Sequence, residues 1–183
     1  MKIVLTWWTH TWKTSILRYL ESKWYNCLDE VAGDNMNMLL KILWKDWYSN
    51  WRKNNFLEFQ QINIFSNLKR DFDLKKTDNF TFLDRWVFDW IASLKREKLS
   101  ISESILNLVD RISYDYIFII DPIDFHEIRG STWRMLDKDV SEKWNNFIID
   151  EYVSRFWREK VVHVPFDTIE NRAKFILNIL WKN

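Results

Sequence analysis

"LTWWTHTWKTSI", residues 5–16, lies between a short apolar run and a helical pattern, and its spacing decides the fold. Lys13 and Thr14 occupy the last two places of the pattern G-x-x-x-x-G-K-[ST]. The strand-like "KIVLT" (2–6) precedes them and the helix-like "KTSILRYLESK" (13–23) carries them, which is the context that pattern requires. Trp7 and Trp12 stand on its two glycines. In such a loop the backbone N–H groups and the helix N-terminus wrap phosphate, and glycine is needed where the chain turns tightly. An indole at either place points into or beside that cradle. The competing reading is a chance Lys-Thr pair at the start of a helix.

Composition repeats the conflict on the scale of the whole chain. The 183 residues include 13 Trp and 2 Gly, whereas about 13 Gly are usual for this length. The surplus and the deficit are nearly equal in size. Trp24, Trp157 and Trp181 each follow the last turn of a predicted helix, a place that commonly needs a left-handed backbone and therefore glycine. Trp44 and Trp47 fall in the connection after another helix, and Trp8 sits inside the loop. One reading is a Trp-rich protein with aromatic anchors, but its indoles would follow the buried faces of helices rather than their ends. The other is that most of these residues are glycines in the natural product. UGA is a stop codon in the standard code, Trp in one variant and Gly in another. Low Ala and Pro beside abundant Ile, Asn, Lys and Phe fits an AT-rich gene, in which UGA replaces GGA. Trp144, inside a predicted helix, is the best candidate for a genuine tryptophan.

Other totals describe a single soluble domain, expected to span 1–183: 47% hydrophobic, 29% charged and a net charge of +1. Near-neutral charge argues against nucleic acid as a partner. The lone Cys27 excludes an internal disulfide framework and fits a reducing compartment. His10, His126 and His163 have no metal-ligand spacing, so no zinc is expected. No 18-residue apolar run and no signal-peptide pattern occur, so a cytoplasmic protein without a membrane span is expected. The sequence leaves the oligomeric state open.

Strand and helix patterns alternate along the chain. Further strands are predicted in "YNCLDE" (25–30), "NFTFLD" (79–84), "YDYIFIID" (114–121) and "EKVVHVP" (159–165). Helices are predicted at 31–43, 56–76, 87–96, 101–113 with Ser102 as cap, 138–156, and from Asp167 or Thr168 to the end. Residues 44–54 read as a polar connection and 122–137 as a loop. This alternation predicts a mostly parallel sheet covered on both faces.

With glycine at 7, 8 and 12, residues 6–15 read T-G-G-T-H-T-G-K-T-S, a full phosphate-binding loop. The nucleotide-binding candidates are then Trp7, Trp8, Thr9, His10, Thr11, Trp12, Lys13, Thr14 and Ser15. Lys13 reaches the β- and γ-phosphates and the Thr14 hydroxyl ligates Mg²⁺. Asp84 ends an apolar strand, the place of an acid that holds Mg²⁺ or its waters; a helix cap is the alternative. Arg85 is a candidate for an acceptor phosphate or the transferring group, or else a surface ion pair. Arg129 and Arg134 bracket a loop that would close over the nucleotide as a lid around 122–140, or is a solvated basic loop. Glu30 is a candidate for orienting an acceptor hydroxyl, and Asp89 is assigned to the acceptor with it.

Three stretches carry a family resemblance: "LTWWTHTWKTSILRYLESKWY", "FTFLDRWVFDWIA" and "VVHVPFDTIENRAKFILNIL". Together they resemble the AAA-type P-loop domain of the NadR-like group, which is similar to ribosylnicotinamide and nucleoside kinases. The resemblance is specific in the loop, in D-R-G and in the V-P-x-x-x-x-E-x-R close, and vague over 44–78. It implies a three-layer fold with a five-stranded parallel sheet in the order 2-3-1-4-5. It implies ATP bound with Mg²⁺, with adenine near Pro165 to Thr168 and hence beside Asp167. "IRGSTWRMLD" departs from the acidic lid of typical members. The expected function is phosphoryl transfer from ATP to a small-molecule acceptor of the nucleoside or nicotinamide-riboside type. The alternatives are a nucleotide-dependent regulatory or lipid-associated binding module with slow hydrolysis, and an inactive scaffold if the tryptophans are genuine.

Overall fold

The computed structural model describes residues 1–7, 12–74, 79–121 and 138–182. Its centre is set by the strands β1 (Lys2–Thr6), β2 (Asn26–Leu28), β3 (Thr81–Asp84), β4 (Tyr116–Ile120) and β5 (Val161–Val164). All four neighbouring pairs are parallel, and the order is β2-β3-β1-β4-β5, as expected. Between and after the strands run α1 (Lys13–Ser22), α2 (Val31–Ile42), α3 (Lys45–Asn54), α4 (Phe56–Asp73), α5 (Val87–Arg96), α6 (Glu103–Val109), α7 (Lys138–Arg155) and α8 (Ile169–Leu180).

Alternation along each strand explains the three layers, because successive side chains leave on opposite faces. Ile3 and Leu5 of β1 join Phe82, Phe118 and Ile120, and pack on Ile16, Leu17 and Leu20 of α1 and Ala173, Ile176 and Leu180 of α8. Val4 faces the other way with Leu83, Ile117 and Ile119, toward Ile64 and Leu68 of α4, Val87 and Ile91 of α5 and Tyr152 of α7. Each fully buried aliphatic or Phe side chain contributes roughly 1.5–3 kcal/mol. The central strand is therefore the best anchored, and the chain leaving its end starts from a firmly held point. Among the described residues no helix is long and apolar enough to cross a membrane.

Two expectations need correction. Residues 44–54, read as a polar connection, form α3. Its contact stripe is narrow: Tyr48 is buried with Leu39 and Phe59, and Trp51 is half-buried beside them. Lys45, Arg52 and Lys53 mask that stripe in the sequence, although the Arg52 guanidinium lies 4.8 Å over the Phe59 ring. The predicted helix 101–113 is shorter, Glu103–Val109, with Ser102 Oγ accepting from the Ile105 N–H at 3.4 Å.

The indoles divide by environment. Of the ten described, Trp7, Trp86 and Trp90 are buried, Trp51 is half-buried, and six are exposed. Trp24, 97% exposed, ends α1 at φ 68°. The Tyr25 N–H donates to the Leu20 carbonyl at 3.3 Å and the Trp24 N–H to the Glu21 carbonyl at 2.9 Å. That is the Schellman pairing, whose left-handed residue is usually glycine. Lys98 does the same after α5 at φ 56°, so a side chain is tolerated there at some cost. Trp157 and Trp181 are exposed, as expected of helix-end indoles, but in unstrained backbone: their φ values of −57° and −88° are ordinary for any residue. Trp24→Gly should therefore raise stability by roughly 1 kcal/mol, read as a shift in the urea midpoint at constant m. Trp157→Gly should give no gain; equal gains at both positions would contradict the strain argument.

Candidate functional site

The register of β1 on β3 pairs Leu5 with Asp84, so the end of the first strand and the acid that ends the third are neighbours. The chain leaving β1 then returns as α1. Its cap residue Trp12 sits at φ 58° and ψ 23°, the left-handed region that glycine prefers. Lys13 opens the helix and is buried; Thr14, next to it, donates its hydroxyl to Asp84 Oδ2 at 2.9 Å. The other carboxylate oxygen, Asp84 Oδ1, is buried and has no hydrogen-bond partner among the described residues. Ser15 is half-buried in the same turn.

Burial governs the charges here. It pushes the Asp84 carboxyl above its usual range, opposed first by the Lys13 ammonium. It draws Lys13 down to about 8, helped by the Arg85 guanidinium and opposed by Asp84, Glu30 and Asp89. A polyanion entering this space reverses that balance for Lys13, since opposite charge favours the ammonium. A hydroxyl beside a carboxylate with one unused oxygen is a hard-oxygen pair, which fits Mg²⁺. Among the described residues no three His, Cys, Asp or Glu side chains cluster to hold a metal. Thr14 and Asp84 would thus hold Mg²⁺ together with waters and ligand oxygens, the usual manner for this ion.

Arg85 follows Asp84 at φ 47°. Its Nε donates to the Trp7 carbonyl at 3.2 Å and its guanidinium lies 3.5 Å from Glu30 Oε1. Glu30 is the cap residue of α2, so the structure brings Glu30, Arg85, Lys13, Thr14 and Asp84 together. Asp89, expected at the acceptor, has both oxygens engaged within the protein. Oδ2 accepts from the Trp86 N–H at 3.0 Å and the Tyr152 hydroxyl at 2.6 Å, and Oδ1 accepts from the Thr6 hydroxyl. It ties the start of α5 to β1 and α7. Thr6 and Tyr152 were not singled out from sequence; no local pattern marks either.

At the other edge, Arg172 of α8 is buried and donates to the carbonyls of Pro165, at 3.1 Å, and Asp121, at 2.7 Å. This fixes the turn after β5 against the end of β4. A cleft of about 250 Å³ opens there, lined by Val164, Pro165, Asp167, Asn171, Arg172 and Phe175 among others. Asp167 is exposed and accepts from the Thr168 N–H and from Asn171 Nδ2, which hold its carboxyl below the usual range. Trp12 leans toward this edge, its ring 6.4 Å from that of Phe166. Trp8, Thr9, His10, Thr11, Arg129 and Arg134, and residues 122–137 of the expected lid, lie outside the described residues.

A further group went unnoticed in the sequence: the buried amides Asn35, Gln60, Asn63 and Asn67 on α2 and α4. Several of their polar atoms have no partner, at a cost of roughly 1–3 kcal/mol for each such group. The available signal is Gln, Asn and Asn at helical spacing along one face that also carries Ile64 and Leu68.

Residues 8–172 match the family described as AAA domain. No curated protein matches the chain. Solved structures share the fold at low identity. One is deoxyadenosine kinase from M. mycoides, solved with dCMP and dCDP, at TM-score 0.69 and 14% identity over 100% of both chains. NadR in complex with NR gives 0.72 and 14%, over 99% of this chain and 50% of that one. Shikimate kinase from Aquifex aeolicus gives 0.55 and 17%, over 98% and 96%.

The Lys13 environment makes a pH prediction. Its folded pKa, about 8, lies below the ordinary 10.5. Between these values the unfolded chain holds the extra proton, so stability of the ligand-free protein rises with pH across that window. Lys13→Met should remove the rise. Urea midpoints of both proteins at pH 8 and 10 test it; the same pH response in both would refute the assignment.

Proposed function

The chain belongs to the AAA domain family, and from that premise we propose that it transfers the γ-phosphoryl group of ATP to a small nucleoside-type acceptor. We propose equally that its natural product carries glycine at most tryptophan positions, Trp7, Trp8 and Trp12 first among them. The observation that carries the functional reading is the Thr14–Asp84 hydrogen bond beside buried Lys13, with Asp84 Oδ1 left for a metal or its water. Its fold neighbours include proteins that bind nucleotides and small acceptors, which supports the same reading.

Each residue has a role in this account. The Lys13 ammonium offsets charge on the transferring phosphoryl oxygens. Bound Mg²⁺, held by Thr14 and Asp84, supplies further charge neutralisation to the same phosphates. Glu30 accepts the proton of the attacking acceptor hydroxyl, and Arg85 orients Glu30 and meets the negative charge that develops. Arg129 and Arg134 are proposed to close over the nucleotide from the 122–140 segment. Adenine is proposed to lie along Pro165 to Thr168, beside Asp167. The glycine proposal draws support from the left-handed backbone at Trp12 and Trp24 and from the exposed indoles at helix ends. It has a direct test in the gene: UGG codons at positions 7, 12 and 24 would end it.

Activity is tested on the chain with Trp7, Trp8 and Trp12 replaced by glycine. Phosphate transfer to a nucleoside or nicotinamide riboside is the expected result. Slow ATP hydrolysis with no acceptor would favour a nucleotide-dependent switch. In that protein Lys13→Ala should lower kcat by on the order of 100- to 1,000-fold while the fold persists. Unchanged turnover would remove the loop from the active site.

A further inference from the structure

Helix α4 buries a polar stripe beside its apolar core contacts Phe59, Ile64 and Leu68. Gln60, Asn63, Asn67 and Asp71 follow one another along its buried face, while Phe65 and Phe72 are exposed. Polar residues of an amphipathic helix normally stand on its solvent face. Asp71 is accounted for: it pairs with Lys2 Nζ at 2.7 Å and accepts from Trp86 Nε1 at 3.1 Å. The amides are not. Gln60 Oε1, Asn63 Nδ2 and both polar side-chain atoms of Asn67 are buried without hydrogen-bond partners among the described residues.

Orientation of the middle amide is fixed by its neighbours. Asn63 Oδ1 accepts from Asn35 Nδ2 at 2.8 Å, and Asn35 Oδ1 accepts from Ser66 Oγ at 3.1 Å. That leaves Asn63 Nδ2 as a free donor. The unused atoms are therefore two acceptors, Gln60 Oε1 and Asn67 Oδ1, and two donors, Asn63 Nδ2 and Asn67 Nδ2. None carries charge. Native interiors pair such groups with protein, water or ligand, so the set suits a neutral partner that offers donor and acceptor side by side.

Position selects the partner. Asn35, which holds Asn63, lies just inside the helix that Glu30 caps, and Glu30 is beside Arg85. The stripe thus adjoins the site's acceptor side. Trp7, on a glycine place of the loop, is buried in the same packed cluster as Val31 of α2 and Ile64 and Leu68 of α4. Its indole N–H is also buried and unpartnered. A flat ring with an unused hydrogen-bond donor thus belongs to the cluster that α2 and α4 share.

We propose that Gln60, Asn63 and Asn67 form the wall that reads the amide-type edge of a nucleoside acceptor, and that the Trp7 indole fills the place of the acceptor's ring. These three are specificity residues rather than catalytic ones. The acceptor role of the bound nucleoside rests on the kinase reading; binding itself needs no phosphoryl transfer. A carboxylate acceptor such as shikimate meets no cation on this wall.

Calorimetry on the full chain with Trp7, Trp8 and Trp12 replaced by glycine, without ATP, tests the wall. Adenosine and nicotinamide riboside are the probes, with shikimate as the contrast. At least one nucleoside should bind and shikimate should not. Asn67→Leu should weaken that nucleoside by at least about 10-fold and leave ATP affinity unchanged. It should keep or raise Tm, because an unpartnered amide is replaced by an apolar side chain of similar size. Undiminished nucleoside affinity, binding of shikimate alone, no nucleoside binding, or a lowered Tm would each overturn the proposal. Asn67-dependent binding without phosphoryl transfer would sink the kinase reading and leave the wall standing. Transfer with a KM indifferent to Asn67 would do the opposite.

Discussion

One hydrogen bond, from the Thr14 hydroxyl to the Asp84 carboxylate, joins the loop to the sheet and makes the site. It forms because Leu5 and Asp84 are register partners in adjacent parallel strands, and because α1 begins soon after β1 ends. A slip of one residue would turn every side chain of β3 to the other face and remove Asp84 from the loop. Burial of Ile3, Val4 and Leu5 on both faces of β1 prevents that slip. The apolar core thus sets the position of a charged site. The same burial that fixes the geometry also pushes the Asp84 carboxyl up and draws the Lys13 ammonium down.

The tryptophans show three kinds of physical fit. At Trp12 and Trp24 the backbone adopts a conformation that glycine takes freely and an L-residue only at a cost. At Trp44, Trp47 and Trp157 the indole stands mostly in water, and Trp181, also largely exposed, keeps one edge-on contact with the Phe80 ring at 5.0 Å. Trp7, Trp86 and Trp90 are packed inside, yet the indole N–H groups of Trp7 and Trp90 lack partners. Of these three, Trp86 alone satisfies its polar atom, against Asp71. A protein selected for aromatic anchors would show the opposite balance.

Much of this is legible in the sequence. Strand runs such as "KIVLT" and "YIFII" are short, apolar and β-branched, and alternation with helices dictates a parallel sheet. The loop spacing locates Lys13 and Thr14, and the strand end locates Asp84. The features that stay hidden have specific causes. α3 buries little more than Tyr48 and part of Trp51, so its polar majority sets the reading of 44–54. Asp89 carries a charge in a conspicuous D-R-x-x-x-D stretch and caps its own helix through the Trp86 N–H, but its other two partners, Thr6 of β1 and Tyr152 of α7, lie at sequence distances that no local pattern encodes. The amide stripe of α4 is visible only as spacing; that those residues point inward depends on packing against α2 and α5.

The central claim is that a nucleotide-binding kinase site lies beneath residues written as tryptophan. Its most direct test is calorimetric titration with ATP and Mg²⁺, of the chain as written and of the chain with glycine at positions 7, 8 and 12. The account predicts micromolar, Mg²⁺-dependent binding by the glycine-bearing chain and binding weaker by about 100-fold or more, a difference near 3 kcal/mol, by the other. Equal affinities would show that the indoles are compatible with the cradle, and no binding by the glycine-bearing chain would contradict the site itself.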